Sequence, residues 1–547
     1  MTSLIKSISI RNFKGFSEEV RIELRPITFL FGPNSIGKSS ILHALQYARE
    51  ILEHGNANAD RTLQGGNAVD LGGFLNLVHG RDSQRRVEIE IEMQLDSTSI
   101  PEVVPDAFDE WHTSDNVVWR MYDALQNVRR RTRFVSIRLS VGWNDQREQP
   151  IVMGYQIATN GEWCLRIEAS SDGRDAAMQI NHGNRIFMVE DVDSDSQRLD
   201  LDDFIAPIDL GITGDLDLST THDVTPGTAM RSVLPELLFT LQEAGMERPG
   251  DGLRSWMTGF RGAMPRLDQM LFIPAPGAKG ADNVYIVREF TAFLSWLTIG
   301  PAQLLRDQLR KLRYIGPLRT IPTRGFDVSL SKNEAAWSDG MAGWEKLLTG
   351  SQDLVERVSD WMASPEKLGT GYSVSRKPYQ EFDPSVPVPL PLGPVRRRVK
   401  LVDTADLAHQ PQDVGVGISQ VLPVVVAAQD GSASVVCIEQ PELHIHPRVQ
   451  VGLGDLFIDG ALNQELSFLI ETHSEHLILR LLRRIREAAE APGLVVGQSL
   501  TPEMVGVYYL TRQDGAVVVN EIPITLEGEF DTPWPHGFFD ERGAELF

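Results

Sequence analysis

Lysine and serine stand side by side at Lys38 and Ser39, and this pair is suited to holding phosphate. The stretch 32–39 reads Gly-Pro-Asn-Ser-Ile-Gly-Lys-Ser, with two glycines separated by four residues and followed by lysine and a hydroxyl residue. In such loops the backbone N–H groups and the lysine bind phosphate, and the hydroxyl binds Mg²⁺. The pattern therefore predicts a nucleoside triphosphate site, formed by Gly32, Pro33, Asn34, Ser35, Gly37, Lys38, Ser39 and Ser40.

The segments around this loop have the order that such a site requires. Ile27–Phe31 is an apolar run long enough for a buried strand, and apolar residues recur at helical spacing from Ile41 to Leu52. A strand, a glycine-rich loop and a helix in this order direct backbone N–H groups and a helix N-terminus at an anion. The context therefore favours a phosphate-binding loop.

Two further apolar runs, Ser434–Ile438 and Leu466–Ile470, are candidates for buried strands that end in polar clusters. Phosphate chemistry lies at such strand ends in α/β sheets. The first run leads into Glu439, and an apolar strand that ends in a carboxylate is a Walker B arrangement, which orders the Mg²⁺ shell. The second run leads into Glu-Thr-His-Ser, with the histidine at His473.

A second anion-binding pattern lies between the proline-rich stretch Pro384–Pro394 and the Walker B candidate. Gly417, Ser419 and Gln420 belong to a Gly-x-Gly-x-Ser-Gln sequence that opens the helix-like run Val421–Ala428. Glycines at the start of a helix leave its N–H groups accessible to an anion. We therefore count these three residues among the expected nucleotide contacts.

Together these motifs resemble the ABC-type ATPase heads of the RecF, SMC and OLD (overcoming-lysogenization-defect) group. The P-loop, the Gly-x-Ser-Gln signature, the Walker B strand with its Pro-Glu-x-His-x-His-Pro continuation and the Thr-His-Ser switch occur in this order. Within the group, the chain resembles the Septu-like bacterial anti-phage ATPases of the AAA family, which lack a Toprim domain. The stretches Ser9–Phe16, Tyr314–Arg319 and Trp534–Asp540 also fit, whereas residues 96–310 are covered weakly or not at all.

The resemblance implies an α/β fold, an ABC-type head with a mixed sheet flanked by helices and a largely helical insertion. It also implies ATP and Mg²⁺ as cofactors. By this resemblance His473 senses the γ-phosphate, and Ser419 beside Gly417 contacts the γ-phosphate of ATP bound to another subunit, so that two heads close on two ATP molecules. Ser39, Glu439 and Asp70 are the expected metal-associated residues, with Asp70 in the role of the family's Q-loop.

One position departs from the family pattern. A second acidic residue usually follows the Walker B carboxylate and polarises the attacking water, but here that position is Gln440. An amide cannot accept a proton as a general base. Either Glu442 or a neighbour replaces it, or ATP serves mainly as a binding signal, and we expect slow hydrolysis in both cases.

Composition and patterning predict three segments. These are an N-terminal ATPase lobe (1–95), an insertion with a β-rich part and then a helical subdomain (96–310), and a C-terminal ATPase lobe (311–547). The helical pattern runs from about Met230 to Arg313, and strand candidates include Arg86–Gln94 and Phe134–Val141. The only cysteines, Cys164 and Cys437, suit a reducing cytoplasm, and no apolar run reaches the roughly 20 residues of a membrane helix.

Two functions compete. The leading hypothesis is an ATP switch, assembled as a homodimer or a higher oligomer, that regulates a separate nuclease subunit in anti-phage defence; the residues after His473 are fewer than the roughly 100 of a usual domain. The alternative is a RecF-like DNA repair or DNA-clamping ATPase without a nuclease partner. The net charge of −23 disfavours general DNA binding, but arginine clusters at 129–133, 396–400 and 480–486 leave a local DNA site open.

Overall fold

The computed structural model of the protein describes residues 4–58, 71–95, 100–101, 128–174, 176–181, 183–190, 230–232, 262–271, 281–324, 326, 337–380, 382–383, 385, 390–392, 395–490 and 499–534. These residues belong to two compact units. The first comprises Met1–Tyr47, Ala59–Gly80 and Gln308–Phe547, and the second comprises Ala48–Asn58 and Arg81–Asp307.

The described strands are β1 (Ile5–Arg11), β2 (Val20–Glu23), β3 (Ile27–Phe31), β4 (Val87–Gln94), β5 (Phe134–Asn144), β6 (Gln149–Thr159), β7 (Glu162–Ala169), β8 (Ala176–Ile180), β9 (Met188–Glu190), β10 (Met230–Ser232), β11 (Arg313–Ile315), β12 (Tyr372–Tyr379), β13 (Phe382–Asp383), β14 (Leu390–Pro391), β15 (Arg396–Asp403), β16 (Ala408–His409), β17 (Val435–Glu439), β18 (Ser467–Glu471), β19 (Val505–Gln513) and β20 (Ala516–Glu521). The α-helices are α1 (Lys38–His54), α2 (Phe74–Leu77), α3 (Ala281–Arg310), α4 (Met341–Thr349), α5 (Gln352–Ala363), α6 (Val416–Gln429), α7 (Pro447–Asn463) and α8 (Glu475–Glu490).

A six-stranded mixed sheet organises the first unit, in the order β11-β17-β18-β3-β19-β20. The first five strands are parallel, and β20 pairs antiparallel with β19. Strands β3, β17 and β18 are buried along their whole length, which is typical of parallel strands covered on both faces. Residues of β3, β17 and β18 share one buried core with helices α4 to α8, so the P-loop strand is anchored in the centre of the unit.

The second unit contains an antiparallel meander of β4 to β8, in sequence order. The long helix α3 packs on it, and the buried Tyr155 hydroxyl donates to the Thr298 carbonyl at 2.6 Å. The longer segment of the unit begins at Arg81 and contains β4, which pairs with β5 of the meander. In its described residues, this longer segment is a sheet followed by a helix.

The predicted helical region from Met230 is described only in part. Met230–Ser232 is not helical but forms strand β10, which pairs antiparallel with β9. Helix α3 covers the end of the region, and the stripe at Leu234–Leu241 lies outside the described residues. No helix among the described residues combines the length and hydropathy that a bilayer-spanning segment requires.

Candidate nucleotide-binding site

The loop between β3 and α1 has the backbone geometry of a phosphate cradle. Gly32 and Gly37 have φ angles of 140° and 114°, and Ser35 lies at 60°. A Cβ at Gly32 would lie 2.6 Å from the Leu510 carbonyl oxygen, so only glycine fits there. Pro33, Asn34 and Ser35 are exposed, whereas the flanking residues are buried. The loop therefore presents its tip to solvent from a fixed base.

Lys38 is 3% exposed and lies under this loop. Its Nζ donates to the carbonyl oxygens of Gly32 and Pro33, both at 3.0 Å. Burial lowers the pKa of Lys38, and the carboxylates of Glu471, Glu442 and Glu439 oppose that change. The loop carbonyls thus hold the ammonium group where a phosphate would replace them as its partner.

Ser39 contacts a carboxylate to which no sequence motif gives a role. Its Oγ donates to Oε2 of Glu471 at 2.5 Å, and Oε1 of Glu471 lies 3.8 Å from Lys38 Nζ. Glu471 is the last residue of β18, the strand next to β3. The sequence places a polar residue at the end of this apolar run, which is typical of a phosphate site. Only the strand order, however, shows that this strand adjoins the P-loop strand.

Glu439, the predicted Walker B residue, ends the next strand and is 7% exposed. Its Oε1 accepts from the Tyr314 hydroxyl at 2.6 Å and lies 3.3 Å from His43 Nε2. Lys14 Nζ donates to His43 Nδ1 at 2.8 Å, so in the neutral ring the proton is on Nε2 and faces the carboxylate. Although burial acts to raise it, the pKa of Glu439 is lowered by His43, Tyr314 and Lys14.

The three carboxylates of the site differ in pKa. Burial and repulsion from Glu439 raise the pKa of Glu471 to about 7, although Ser39 and Lys38 lower it. Burial also raises the pKa of Glu442. No three His, Cys, Asp or Glu side chains among the described residues form a ready metal-binding group. Mg²⁺ commonly takes one or two carboxylates together with substrate phosphates, so an oxygen set of a serine hydroxyl and a carboxylate fits that ion.

Gln440 and Glu442 lie in the turn after β17. Gln440 adopts φ 43°, and its N–H donates to the Glu471 carbonyl at 2.8 Å. Glu442 accepts from the Thr472 hydroxyl and from the N–H of His473, both at 2.8 Å. Burial and the nearby Lys38 lower the pKa of His473, which favours a neutral ring. Glu442 therefore links the Walker B turn to the predicted switch.

Arg319 is a site residue to which the sequence motifs gave no role, although it ends the stretch Tyr314–Arg319 that fits the resemblance. It is 4% exposed, and its Nη2 donates to the carbonyls of Glu439 at 2.8 Å and of Gln440 at 3.3 Å. Its own N–H donates to Oε1 of Gln420 at 3.1 Å. Burial lowers the pKa of Arg319 to about 10, so the side chain stays charged at neutral pH. This arginine ties the end of β17 to helix α6.

The predicted signature residues lie at the start of α6, but two of their side chains are used within the chain. Ser419 is fully buried and donates to the Pro411 carbonyl at 2.8 Å, and the Gln420 amide pairs with the backbone of Arg319. A Cβ at Gly417 would lie 2.4 Å from the His444 carbonyl oxygen. A direct nucleotide contact from these side chains remains a prediction, and the exposed residues of this helix start are Gly415 and Val416.

The remaining residues predicted from the sequence either bond to other residues of the chain or lie outside the described residues. Asp70 lies outside the described residues. His446 caps α7 by accepting from the N–H of Arg448. In the arginine cluster on α8, Arg480 and Arg484 pair with Asp455, and Arg483 pairs with Glu487. The fourth arginine, Arg486, donates to the backbone carbonyls of Glu527 and Gly528.

Comparisons with known families match three separate segments. Residues 4–115 match a model described as an AAA ATPase domain. Residues 274–480 match an AAA domain model named for an AbiEii toxin of a type IV TA system. Residues 500–547 match a protein of unknown function, DUF3696. The matches to the two AAA models support an AAA-type ATPase.

Among solved structures, the chain is similar to SMC head domains. One is a SmcHead bound to the C-winged helix domain of ScpA, with 12% identity, a TM-score of 0.38 and coverage of 95% of this chain and 98% of that one. Another is the SMC head from Thermotoga maritima, with 7% identity, a TM-score of 0.35 and coverage of 95% and 99%. A third, a head with an extended coiled coil bound to the C-terminal domain of ScpA, derives from Pyrococcus furiosus and has 12% identity, a TM-score of 0.38 and coverage of 95% and 96%. No curated protein matches the chain.

Proposed function

We propose that the protein binds ATP with Mg²⁺ and hydrolyses it slowly. The observation that carries the proposal is the hydrogen bond between Ser39 and Glu471, directly beside Lys38. These residues lie at the end of a phosphate-binding loop in which only glycine fits at Gly32. Lys38 and the loop N–H groups hold phosphate, and Ser39 with a neighbouring carboxylate holds Mg²⁺. When bound, the ion neutralises phosphate charge.

Lys38→Ala tests nucleotide binding. We expect ATP affinity, measured by calorimetry, to fall more than about tenfold, since a buried charge-assisted contact is lost. Lys346→Ala is a matched control, because Lys346 pairs with Asp430 and has no contact with the loop. Equal ATP affinity of the Lys38→Ala variant and the unmodified protein would exclude the P-loop as the nucleotide site.

Slow hydrolysis follows from the chemistry of the Walker B turn. Gln440 cannot take a proton, and Glu442, the nearest carboxylate in the turn, already accepts two hydrogen bonds. Its raised pKa suits a general base, so we assign it as the candidate base. A turnover of the protein alone near the roughly 10 per second of typical enzymes would contradict this assignment.

The proposed switch is the closure of two heads on two ATP molecules. The start of α6 has no side-chain cap, and Val416 there is 47% exposed, so this helix start lies at the surface, and a helix N-terminus favours an anion. We propose that they bind the γ-phosphate of ATP held by the other copy. Mass measurement in solution, with and without ATP, tests this, and Lys38→Ala should prevent the ATP-dependent species. An unchanged mass with ATP, together with an unchanged conformation, would refute the switch.

The output of the switch is proposed from the resemblance to Septu-like ATPases: regulation of a separate nuclease during phage infection. The test is a plaque assay in cells that carry this gene with and without a neighbouring nuclease gene. Protection should need both genes and the intact Lys38. Cleavage of plasmid DNA by the purified protein alone, with loss on Lys38→Ala, would refute a separate effector.

A DNA-clamping ATPase is the second candidate, and the hairpin of β12 and β15 favours it. Antiparallel register places Lys377 opposite Arg398 and Ser375 opposite Lys400, so these side chains lie on one face. Val374, Val399 and Leu401 on the other face are buried. In the described part of the chain, neither Lys377 nor Lys400 pairs with a carboxylate. This face is therefore a positive surface on an acidic protein, which suits a phosphodiester backbone.

Charge reversal on the hairpin distinguishes this candidate. Lys377→Glu with Lys400→Glu should weaken ATP-dependent binding of a DNA duplex by about tenfold or more at low salt and should flatten its salt dependence. The matched control is Arg483→Glu with Arg484→Glu, which removes two arginines that are already paired with acidic residues. If only the Arg483→Glu, Arg484→Glu variant lost DNA binding, the DNA surface would lie on α8 instead.

A further inference from the structure

We propose that the edge of strand β15 binds an extended, acidic peptide segment of a partner protein, beside a pocket lined in part by helix α4. Such peptides add a strand to an open sheet edge: main-chain hydrogen bonds give affinity, and a pocket for a side chain gives specificity. The proposal concerns a surface of the first unit outside the nucleotide site. It does not depend on ATP binding, so the two can fail separately.

One edge of β15 is left open because the strand beside it is very short. Strand β16 has only two residues, and its pairing with β15 ends with Leu401 opposite His409. The same register, continued, would place Pro411 opposite Val399, but proline has no N–H to donate and the chain enters a 3₁₀ turn there. The Pro411 carbonyl accepts from Ser419 instead. Within the described ranges, no other strand pairs with β15 on this side.

The open edge carries backbone groups that lack a partner strand. The N–H of Asp403 donates to the Leu407 carbonyl at 3.0 Å, so Asp403 directs its backbone groups to the side of β16. Alternate residues of an antiparallel strand share this direction, so Val399 directs its N–H and C=O to the same side. Val399 is 8% exposed, and a buried backbone group without a hydrogen-bond partner destabilises a protein. An added peptide strand would provide both the acceptor and the donor.

A pocket beside this edge contains a second group that lacks a partner. Trp344 of α4 lines the pocket and is 1% exposed, and its indole N–H has no hydrogen-bond partner in the described part of the chain. An indole N–H is only a donor, so the group that it lacks is an acceptor. Most of the remaining lining is apolar and includes Pro322, Phe326, Leu348, Val399 and Pro411. The pocket therefore suits a side chain whose tip accepts a hydrogen bond.

The charges beside the pocket favour an acidic side chain. Arg398 lines the pocket, and Arg396 and Arg397 of the same strand are exposed. Asp413, which follows Pro411 by two residues, is already paired with Arg324. A carboxylate accepts hydrogen bonds from both an indole N–H and a guanidinium, and the second of these is charge-assisted. An acidic extended peptide therefore fits this edge better than a neutral or a basic one.

Short fluorescent peptides test the chemistry of the site on the full chain, by fluorescence anisotropy without ATP. A peptide of alternating glutamate and valine should bind with saturation. A lysine–valine peptide reverses the charge, and a glutamate–valine peptide that is N-methylated at every residue has no N–H groups to donate. Both should bind at least about tenfold more weakly, because the first is repelled by the arginines and the second cannot complete a strand.

Arg398→Gln and Arg512→Gln are a matched pair of variants. Arg398→Gln should weaken binding of the glutamate–valine peptide about three- to tenfold, since it removes a charge-assisted hydrogen bond at the pocket. Arg512 is exposed on β19 and does not line the pocket, so Arg512→Gln should bind the peptide like the unmodified protein. Trp344→Phe removes the indole N–H and should weaken binding to a similar extent. Its Tm is measured as well, because a smaller buried ring lowers stability by itself.

Hydrogen exchange, followed by mass spectrometry, locates the bound strand. A saturating amount of the glutamate–valine peptide should slow amide exchange in residues 396–401 and leave β19 unchanged, because only the open edge gains hydrogen bonds. The proposal is overturned if the glutamate–valine peptide does not bind, if all the peptides bind alike, or if Arg398→Gln binds the first as tightly as the unmodified protein does. It is also overturned if exchange in residues 396–401 is slowed by a DNA duplex and not by the peptide, since the edge would then belong to a DNA surface.

Discussion

Replacing Glu471 with glutamine should stabilise the metal-free protein at pH 8 and have a much smaller effect at pH 5. The pKa of Glu471 is raised from 4.5 to about 7 in the folded protein, chiefly by burial and by repulsion from Glu439. A raised pKa means that the folded state holds the proton more tightly than the unfolded state. The associated stability is present below pH 4.5 and is lost as the pH rises through 7.

The magnitude follows from the two pKa values. The interval from 4.5 to about 7 corresponds to about 3 kcal/mol of unfolding free energy, at about 1.4 kcal/mol per pH unit. Most of this loss, about 2.5 kcal/mol, occurs between pH 5 and pH 8. Glutamine does not titrate, so the variant avoids the loss. The value is an upper bound, because Lys38 also loses its carboxylate partner.

Thermal unfolding in EDTA between pH 5 and pH 8 measures this effect. The difference in Tm between Glu471→Gln and the unmodified protein should grow with pH, by roughly 2–6 °C. Glu439→Gln is a control that should change the stability in the opposite direction. The pKa of Glu439 is lowered, so its ionised carboxylate stabilises the folded protein above pH 4.5, and this contribution is lost as the pH falls. That variant should be less stable at pH 8. A Tm difference for Glu471→Gln that does not change with pH would refute the reasoning.

Two further substitutions test the backbone of the site. Gly32→Ala should abolish measurable ATP binding in calorimetry, because its Cβ would lie 2.6 Å from the Leu510 carbonyl; Gly515→Ala, with a similarly positive φ but open space, should retain binding. Arg319→Met should lower the unfolding free energy by about 1–3 kcal/mol in thermal melts, since two carbonyls lose their donor. Arg324→Met removes only an exposed ion pair and should cost less than about 1 kcal/mol; equal effects would contradict the arginine prediction.

The local elements of the site follow from the sequence. Ile27–Phe31 is a strand with the predicted limits, and the helical spacing after the P-loop corresponds to α1. The two apolar runs before Glu439 and Glu471 form β17 and β18, each displaced by one residue. Such strands can be predicted from the sequence because a strand that is buried on both faces requires a continuous run of apolar residues.

The partners of the site residues do not follow from the sequence. Glu471 meets Ser39 across 432 positions, and Arg319 meets Glu439 across 120. These contacts depend on the order of strands in the sheet, which no local pattern encodes. The inward orientation of the Ser419 side chain could not be predicted from the sequence either. Nearly all of α6 is buried, so its apolar residues do not mark a single inward face.

The two cysteines provide native reporters of motion in the separate units. Cys437 lies in β17 of the first unit and Cys164 in β7 of the second, both fully buried and free. Burial raises the pKa of both thiols, so neither reacts with an alkylating reagent until its strand opens. The labelling rate of each thiol therefore measures the opening equilibrium of its own unit. Slower labelling of Cys437 alone on addition of ATP would show that the nucleotide rigidifies the first unit without ordering the second.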